Sequence, residues 1–419
     1  MKIALVAFEF PPDTAGGGIG TYMEQATRCL TQAGHQVEVF AASPQREGTF
    51  DHAGARLNLT KTNSIHDFGE LVLPAFRERH RAVGFDVVES PDYFADGRAI
   101  RAAFPDLPHV VKMHTPLELL HELAVCSGSA IGAWRFHVRQ FQAALQKISR
   151  GKRPSPWQRF RPDIPIRSHW EKIERENAQA ADLVVSPSNS LRAWVVSRWG
   201  IPLEKTAVVP YPYEPAQKLL ECAPGSGGKS VGYFGRLEHR KGMRLLAEMV
   251  PMVLEAVPEA KFRLVGGTSE HSGRLEPYRD YLQRKWRKYA DSITFVGRVP
   301  LSKMPEEFSK VGICVFPSLW ENFPNVCLEA MSAGRAVVGS SQGGMADMIQ
   351  SGESGILASP ESTQEFATAI IRLLQDERSR SQMGLHAREK ILQNYNFHVV
   401  EKQMIEQFNR TKEKKYECQ

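Results

Sequence analysis

Two glutamates lie on either side of a predicted helix start in the second half of the sequence. Glu321 precedes the start near Pro324 or Asn325, and Glu329 lies about one and a half turns inside the helix. This spacing suits two carboxylates that serve different ends of an extended ligand rather than a close acid pair. The free N–H groups of the helix start lie between them and could bind phosphate or sugar oxygens. Taken alone, Glu329 could instead be an ordinary surface residue of a helix.

A basic loop earlier in the same half could neutralise a diphosphate. Arg236 offers a planar fork for phosphate and Lys241 a compact charge, and glycines flank both. Two such cations on one loop can converge on a diphosphate without a metal ion. Glu238, in the same loop, is expected to matter little. The alternative is a solvated basic loop with no ligand.

Two loops of the first half could face the same ligand. The glycine-rich segment 16–20 follows an apolar run and precedes a helical stretch, so its amides and the helix start favour an anion. A tight turn without a ligand is the other interpretation. The glycines lack the spacing of a dinucleotide fingerprint, which argues against a nicotinamide-dependent enzyme. His114 ends a strand-like run and is either structural or part of the site.

Short apolar runs rich in β-branched residues alternate with helical segments along the whole chain, which is typical of parallel-sheet α/β domains. The predicted strands of the first half are 2–8, 36–42, 86–89, 109–114, 182–186 and 206–210. Those of the second half are 230–234, 261–266, 292–296, 312–316, 336–339 and 355–358, and helices are expected over 363–375, 378–394 and 399–414. Each half could form one doubly wound sheet, and ligands bind such sheets at the carboxyl ends of the strands.

Composition restricts the class of protein. The 419 residues suit two domains, and 42% apolar with 24% charged residues is typical of a soluble globular chain. No segment approaches the roughly 18 apolar residues of a membrane span, and the apolar start is typical of a buried strand rather than of a signal peptide. The six cysteines have no C-x-x-C pair, which argues against a disulfide framework or a zinc site and favours a reducing compartment.

A basic, acid-free segment within the first half stands out in a chain whose net charge is +6. Residues 123–162 contain eight Lys or Arg and no Asp or Glu, with aromatic residues between them. We expect this insertion, about 123–170, to meet an anionic membrane surface or a lipid-linked acceptor. A soluble anionic acceptor, or a lid without a partner, stays open as an alternative, and nucleic acid is not expected.

Together these motifs resemble the retaining glycosyltransferases of family four, which have the GT-B fold. The resemblance rests on the glycine segment 16–20, on Gly235-Arg236 with Lys241-Gly242, and on the segment from Glu321 to Glu329. The following segments 332–339, 343–344 and 352–357 match as well, so the resemblance covers nearly the whole chain.

The resemblance implies two Rossmann-like domains that face each other across a cleft. The first, at 1–212, would bind the acceptor and carry the basic insertion. A hinge at 213–228 would lead to a nucleotide-sugar-binding domain at 229–395, and a helix at 396–419 would return to the first domain. The implied activity is metal-independent, retaining hexosyl transfer from a nucleoside-diphosphate sugar to a hydroxyl acceptor, in bacterial polysaccharide or glycolipid synthesis.

The expected donor is a UDP-sugar, with GDP- and ADP-sugars as alternatives, and the expected location is the cytoplasm, with possible peripheral attachment to the inner face of the membrane. The alternative function is a catalytically idle nucleotide-sugar-binding protein of the same fold.

The resemblance also implies individual roles. Arg236 and Lys241 would neutralise the diphosphate, Glu321 would hold hydroxyls of the transferred sugar, and Glu329 would bind the ribose, with His114 beside the donor sugar. Further donor contacts would come from Gly17, Gly18, Arg298, Val299, Phe323, Pro324, Asn325 and Val326. The chain departs from the family at two places. Many members have Asn-Gly where this chain has residues 209–213, which include two tyrosines, and Glu is common where this chain has Asp347.

Overall fold

A computed structural model describes residues 1–14, 17–125, 164–268 and 277–417. Within these ranges the chain forms two α/β units, each built on a mainly parallel sheet, which confirms the predicted fold class. Most of the basic insertion lies outside the described residues. No helix in the described part of the chain is both long and apolar enough to cross a membrane.

The first half builds an eight-stranded sheet from described residues. Its strands are β1 (Lys2–Ala7), β2 (Gln36–Ser43), β3 (Gly48–His52), β4 (Ala55–Lys61), β5 (Val87–Pro91), β6 (His109–Lys112), β7 (Leu183–Ser186) and β8 (Thr206–Val208). Their order is β3-β4-β2-β1-β5-β6-β7-β8, and only β3 and β4 pair antiparallel. The central strand β1 is buried from Ile3 to Ala7, because helices cover both faces of the sheet.

The second half builds a six-stranded, fully parallel sheet. Its strands are β9 (Ser230–Phe234), β10 (Lys261–Val265), β11 (Ile293–Gly297), β12 (Ile313–Phe316), β13 (Ala336–Ser340) and β14 (Ile356–Ala358). The described strands have the order β11-β10-β9-β12-β13-β14. The order reverses direction between β9 and β12, so the loops after these two strands meet at the point where such sheets bind ligands.

Helices connect the strands and cover the sheets. In the first half they are α1 (Gly18–Gln32), α2 (Phe68–Leu71), α3 (Leu73–Val83), α4 (Arg98–Ala103), α5 (Leu117–Val125), α6 (Ile164–Ala180) and α7 (Asn189–Trp199). Next come α8 (Gln217–Leu220), α9 (Met243–Ala256), α10 (Tyr278–Lys285), α11 (Met304–Ser309), α12 (Asn325–Ser332), α13 (Met345–Met348), α14 (Thr363–Gln375), α15 (Glu377–Asn394) and α16 (Phe397–Glu417).

Local capping explains several of these boundaries. Ser188 begins α7 by accepting a hydrogen bond from the Leu191 amide, and Gly200 ends it with a left-handed backbone at φ 63°. Ser362 and Asp376 cap α14 and α15 in the same way. All twelve predicted strands are present, and their ends differ from the prediction by at most two residues.

The hairpin of β3 and β4 was not predicted. Its strand β3 is almost entirely exposed, so the apolar pattern that marks a buried strand is missing. The turn between the two strands contains Ala53 at φ 50° and Gly54 at φ 81°, and only the glycine is an ordinary sequence signal for it. The hairpin extends the first sheet at the edge farthest from β8.

The last helix, α16, lies against the first half. His35 Nε2 is 2.9 Å from Glu401 Oε1, and the Cys29 thiol donates to the Phe397 carbonyl. Lys412 pairs with Asp86 at 2.5 Å. The helix therefore bridges back from the second half, while the exact domain boundaries stay a prediction.

Close packing between α15 and the turn that connects α12 to β13 gives a test of the fold. A Cβ on Gly384 would lie 2.2 Å from the Gly334 carbonyl oxygen. Alanine gains about 1 kcal/mol of helix propensity over glycine, but overpacking against rigid backbone costs typically 1–3 kcal/mol or more. We therefore expect Gly384→Ala to lower the melting temperature by a few degrees in calorimetry.

The matched control is Gln382→Ala, because Gln382 is exposed on the same helix. It should melt at the wild-type temperature or slightly above. A Gly384→Ala protein as stable as wild type would contradict the close approach of the two backbones.

Candidate functional site

Glu321 is the centre of an ion-pair cluster just after β12. Lys241 Nζ pairs with its carboxylate, and Arg240 Nη1 lies 3.3 Å from the other oxygen. The Glu321 side chain is only 9% exposed. Burial would raise the pKa of Glu321, but Lys241 and Arg240 outweigh burial and hold the pKa below its usual value. Glu321 is therefore an ionised, buried carboxylate with two cations fixed beside it.

A second buried carboxylate extends this cluster. Glu238 Oε1 lies 3.1 Å from Arg240 Nη2 and 3.3 Å from Arg236 Nη2. The Glu238 side chain is 5% exposed, whereas that of Arg236 is 62% exposed. The expectation that Glu238 matters little therefore conflicts with its position, because it orients both arginines. Arg236 lies at the solvent side of this cluster.

The basic loop reaches Glu321 because its end packs tightly on the loop after β12. Gly242 has φ 79°, and a Cβ there would lie 1.9 Å from the Pro317 carbonyl oxygen. The Leu319 amide donates to the Arg240 carbonyl at 2.9 Å. Only glycine permits both the left-handed backbone and this approach, so the two loops join where Lys241 meets Glu321.

Two further glycines support the backbone of Glu321 from below. A Cβ on Gly343 would lie 2.1 Å from the backbone carbonyl oxygen of Glu321, and one on Gly344 would lie 1.6 Å from that of Asn322. The Gly344 amide donates to the Glu321 carbonyl at 2.7 Å. Side chains at either position would push Glu321 away from its cations.

The helix α12 begins beside this cluster with amides that no side chain caps. Pro324 is its N-cap residue, and no side-chain hydrogen bond is formed there. The Phe323 ring is buried, with its centroid 5.5 Å from each of the Tyr211 and Tyr395 rings. Phe323 can therefore offer only its backbone to a ligand, while Asn325 and Val326 in the first turn are half-buried. The uncapped amides and the helix dipole favour an anion here.

Glu329 lies farther along α12 and has no hydrogen-bond partner among the described residues. Its side chain is half-buried. Burial raises the pKa of Glu329 to about 7. A carboxyl group held in this way, without a partner, is suited to bind ligand hydroxyls.

His114 lies after β6, in the first half, and is nearly fully buried. Its Nδ1 is 2.8 Å from the Tyr211 hydroxyl, and its amide donates to Asp92 Oδ1 at 2.7 Å. Its Nε2 is buried without a hydrogen-bond partner in the described structure. Burial, together with the charge of Lys112, lowers the pKa of His114 to about 3, so the imidazole is neutral.

Asn322 connects the two halves directly. Its side-chain amide donates to the His114 carbonyl, and its oxygen accepts from the Ser188 hydroxyl at 3.1 Å. A second link lies beside it, where the Asn189 amide and side chain donate to Asp347 at 3.0 and 2.7 Å. Asn322 thus links the chain segment that carries Glu321 to the segment that carries His114.

The glycine segment of the first half already holds a carboxylate of the chain. Glu9 Oε2 accepts from the Gly20 amide at 3.3 Å, and a Cβ on Gly17 would lie 3.3 Å from the same oxygen. Burial raises the pKa of Glu9, although the hydrogen bonds from this segment oppose the rise. Gly17 and Gly18 are exposed at the start of α1. A carboxyl group of the chain itself therefore lies at this segment, and the binding of a ligand anion there stays a prediction.

Arg298 and Val299 follow β11 at the same edge of the second sheet. Arg298 is exposed. Val299 is half-buried and packs against the core cluster that also includes Phe323 and Val326. No ion pair in the described ranges joins Arg298 to the cluster around Glu321.

The structure thus pairs Lys241 directly with Glu321. Arg236 is connected to Glu321 through Glu238 and Arg240. His114 is connected to Glu321 through the neighbouring residue Asn322. Sequence reasoning did not single out four residues that support this arrangement or the glycine segment, namely Glu9, Tyr211, Arg240 and Asn322, and it did not predict the burial of Glu238. Arg240 could have been found from the sequence, because two adjacent cations on one turn can both face a carboxylate. No group of three or more His, Cys, Asp or Glu in the described ranges is placed to hold a metal ion.

Comparison with known proteins covers both halves of the chain. A family model for "Glycosyltransferase Family 4" matches residues 16–217, and one for "Glycosyl transferases group 1" matches residues 228–376. Glycogen synthase of Mycobacterium tuberculosis is 21% identical over 413 residues, which are 96% of this chain and 92% of that protein.

Two solved structures share the fold over almost the whole chain. Sucrose-phosphate synthase from Thermosynechococcus elongatus has a TM-score of 0.69 and 22% identity, with 98% of each chain covered. Anabaena HepE in complex with UDP-glucose has a TM-score of 0.66 and 16% identity, with 98% of this chain and 100% of that chain covered. Both have the two-domain arrangement called GT-B, as predicted.

The raised pKa of Glu329 predicts how the ligand-free protein responds to pH. The folded chain holds the Glu329 proton more tightly than the unfolded chain, so wild type loses stability as pH rises from 4.5 to about 7. Glu329→Gln removes this loss. We expect the variant to have a higher melting temperature than wild type at pH 8, with a free energy of unfolding higher by at most about 3 kcal/mol. Near pH 4.5 the two proteins should be equally stable.

Glu361→Gln serves as the control, because Glu361 is exposed. Melting temperatures across pH 4.5–8 measure the effect. A gain for Glu329→Gln that is the same at every pH would show that titration of this carboxyl is not its cause.

Proposed function

Since the chain belongs to the family 4 glycosyltransferases of the GT-B fold, which use nucleotide sugars, we propose that it transfers a hexose to a hydroxyl acceptor with retention of anomeric configuration. The observation that carries this proposal is the pair of cations held on the buried carboxylate Glu321, beside the uncapped start of α12. A carboxylate for sugar hydroxyls and cations for a diphosphate are thereby adjacent.

The cations would stabilise the leaving group. When the bond between the anomeric carbon and the diphosphate breaks, negative charge grows on the phosphate oxygens. Lys241 and Arg236, together with Arg240, would neutralise that charge. The amides of Asn325 and Val326 would stabilise it further by donating hydrogen bonds. Fixed donors of this kind contribute several kcal/mol to the transition state because they need no reorganisation. The proposed reaction therefore uses no metal ion.

Retention follows if the leaving diphosphate also receives the acceptor proton. The acceptor hydroxyl would approach the face of the sugar that the diphosphate leaves, and an oxocarbenium-like state would separate the two events. A phosphate oxygen takes the hydroxyl proton as the new glycosidic bond forms. No covalent sugar–enzyme intermediate is needed.

The remaining predicted residues would hold the donor. Glu329 would bind the two ribose hydroxyls, and Arg298 and Val299 would contact the base. Gly17 and Gly18 would approach the diphosphate from the first half, in competition with Glu9. A UDP-sugar is the proposed donor, since HepE was solved with UDP-glucose, and GDP- and ADP-sugars are the alternatives.

The first domain, at 1–212, would bind the acceptor, and the second, at 229–395, would bind the donor. The proposed setting is polysaccharide or glycolipid synthesis in the bacterial cytoplasm, which the relative named glycogen synthase supports for polysaccharide. The basic insertion within 123–162 would bind a lipid-linked or otherwise anionic acceptor, or the inner membrane face.

The test of this function is turnover of a panel of nucleotide sugars. The protein is incubated with UDP-, GDP- and ADP-sugars and with sugar or lipid-linked acceptors, and release of nucleoside diphosphate is followed. We expect release from one donor, and a product whose proton NMR spectrum shows the anomeric configuration of the donor. Binding without release would favour the idle binding protein, and an inverted product would exclude retention.

Lys241 provides a sharper test of the proposed leaving-group stabilisation. Lys241→Met keeps the aliphatic stem but removes the charge, so turnover should fall by roughly tenfold or more in steady-state kinetics. The control is Lys229→Met, since Lys229 pairs with Glu259 on an exposed surface. If both variants had wild-type turnover, Lys241 would not act on the leaving group.

A further inference from the structure

The Tyr211 hydroxyl has three hydrogen-bond contacts, one of which joins the two halves. It is 3.1 Å from the Met113 carbonyl oxygen, 2.8 Å from His114 Nδ1 and 3.3 Å from Asn322 Nδ2. All four groups are buried. Nothing in the family resemblance gives Tyr211 a role, and the chain departs from the family at this segment.

The roles of two of these partners are fixed by their chemistry. A carbonyl oxygen can only accept, and an amide nitrogen can only donate. The orientation of the Asn322 amide is fixed too, because its nitrogen faces the His114 carbonyl and its oxygen faces the Ser188 hydroxyl. Tyr211 therefore accepts from Asn322, and its single hydrogen goes either to the Met113 carbonyl or to His114 Nδ1.

The third contact then determines the tautomer of His114. If Tyr211 donates to Met113, its oxygen has one lone pair left after Asn322, so His114 Nδ1 must carry the hydrogen that fills it. In the opposite assignment Tyr211 would donate to Nδ1. The Met113 oxygen would then keep only the Asn322 nitrogen at 3.5 Å, at the limit of a hydrogen bond. The buried groups are better satisfied in the first assignment.

The neighbours of His114 keep this imidazole neutral. The ammonium of Lys112 lies over the rings of Tyr22 and Tyr211 at 5.2 and 5.4 Å, and donates to the Val209 carbonyl at 2.6 Å. A neutral imidazole with a hydrogen on Nδ1 has a free lone pair on Nε2. That atom is buried and has no partner in the described structure.

We propose that Tyr211 is a positioning residue that fixes His114 as the Nδ1–H tautomer, so that Nε2 accepts a hydrogen bond from a hydroxyl of the donor sugar. Asn322 donates to the Tyr211 oxygen from the opposite half. The identity of the hydroxyl rests on the proposed function, whereas the tautomer does not.

The tautomer is measured in the ligand-free protein, which separates it from the proposed function. Histidine is labelled with ¹⁵N, the His114 signals are assigned as those lost in His114→Gln, and long-range ¹H–¹⁵N correlation identifies the protonated nitrogen. We expect a protonated Nδ1 and an unprotonated Nε2 in wild type. A protonated Nε2 in wild type would overturn the proposal, whether or not any variant folds.

The role of Tyr211 itself is tested by Tyr211→Phe, which should shift His114 toward the Nε2–H form. Tyr213→Phe is the control, because Tyr213 is also a buried tyrosine but has no hydrogen bond to His114 in the described part of the chain. Its spectrum should keep the wild-type pattern. An unchanged tautomer in Tyr211→Phe would show that another group selects it.

The ligand is tested with the donor that releases diphosphate in the panel above, compared with its nucleoside diphosphate alone. We expect the Nε2 signal to move with the sugar donor and to stay near its ligand-free position with the diphosphate. Equal shifts with both would overturn the sugar contact. Absence of turnover with any donor would instead count against the proposed function and leave the tautomer assignment standing.

Discussion

A buried carboxylate with two cations is the interaction on which the site depends. An ionised carboxylate at this depth is strongly unfavourable unless it is paired, so Glu321 requires Lys241 and Arg240 beside it. The requirement extends to the backbone. Gly242 brings the basic loop onto the end of β12, and Gly343 with Gly344 supports Glu321 from the other side. The glycines are thus a geometric consequence of placing charges around one carboxylate.

The residue after Glu321 extends the same arrangement across the two halves. Asn322 binds the His114 backbone and the Tyr211 hydroxyl, while Glu321 binds the cations. Buried ion pairs contribute little to net stability but restrict geometry strongly. We infer that the dipeptide 321–322 sets the distance between the cations and the imidazole, and that the Tyr211 hydroxyl completes the contact between the halves.

Sequence reasoning succeeded where the signal is local and failed where it depends on packing. The strands and the helix over 363–375 were predicted because buried parallel strands have apolar runs and amphipathic helices a clear period. The hairpin of β3 and β4 was missed, since an exposed edge strand lacks that pattern.

At the site, Lys241 and Glu321 were found through type and spacing. The burial of Glu238 between two arginines was not predicted, because it depends on how the loop folds. Asn322 and Tyr211 carry no signal of their own, because their partners lie more than a hundred and more than ninety residues away in sequence.

The most direct test is the affinity for a nucleoside diphosphate compared with its parent nucleoside, measured by calorimetry in a chelating buffer. If fixed cations bind the diphosphate, UDP, or GDP or ADP if one of these is the base, should bind roughly 100-fold more tightly than the nucleoside. This follows because hydrogen bonds to charged groups contribute about 1.5–3 kcal/mol each. Added magnesium should not tighten the binding. Equal affinities for the two ligands, or diphosphate binding that appears only with a divalent ion, would contradict the account.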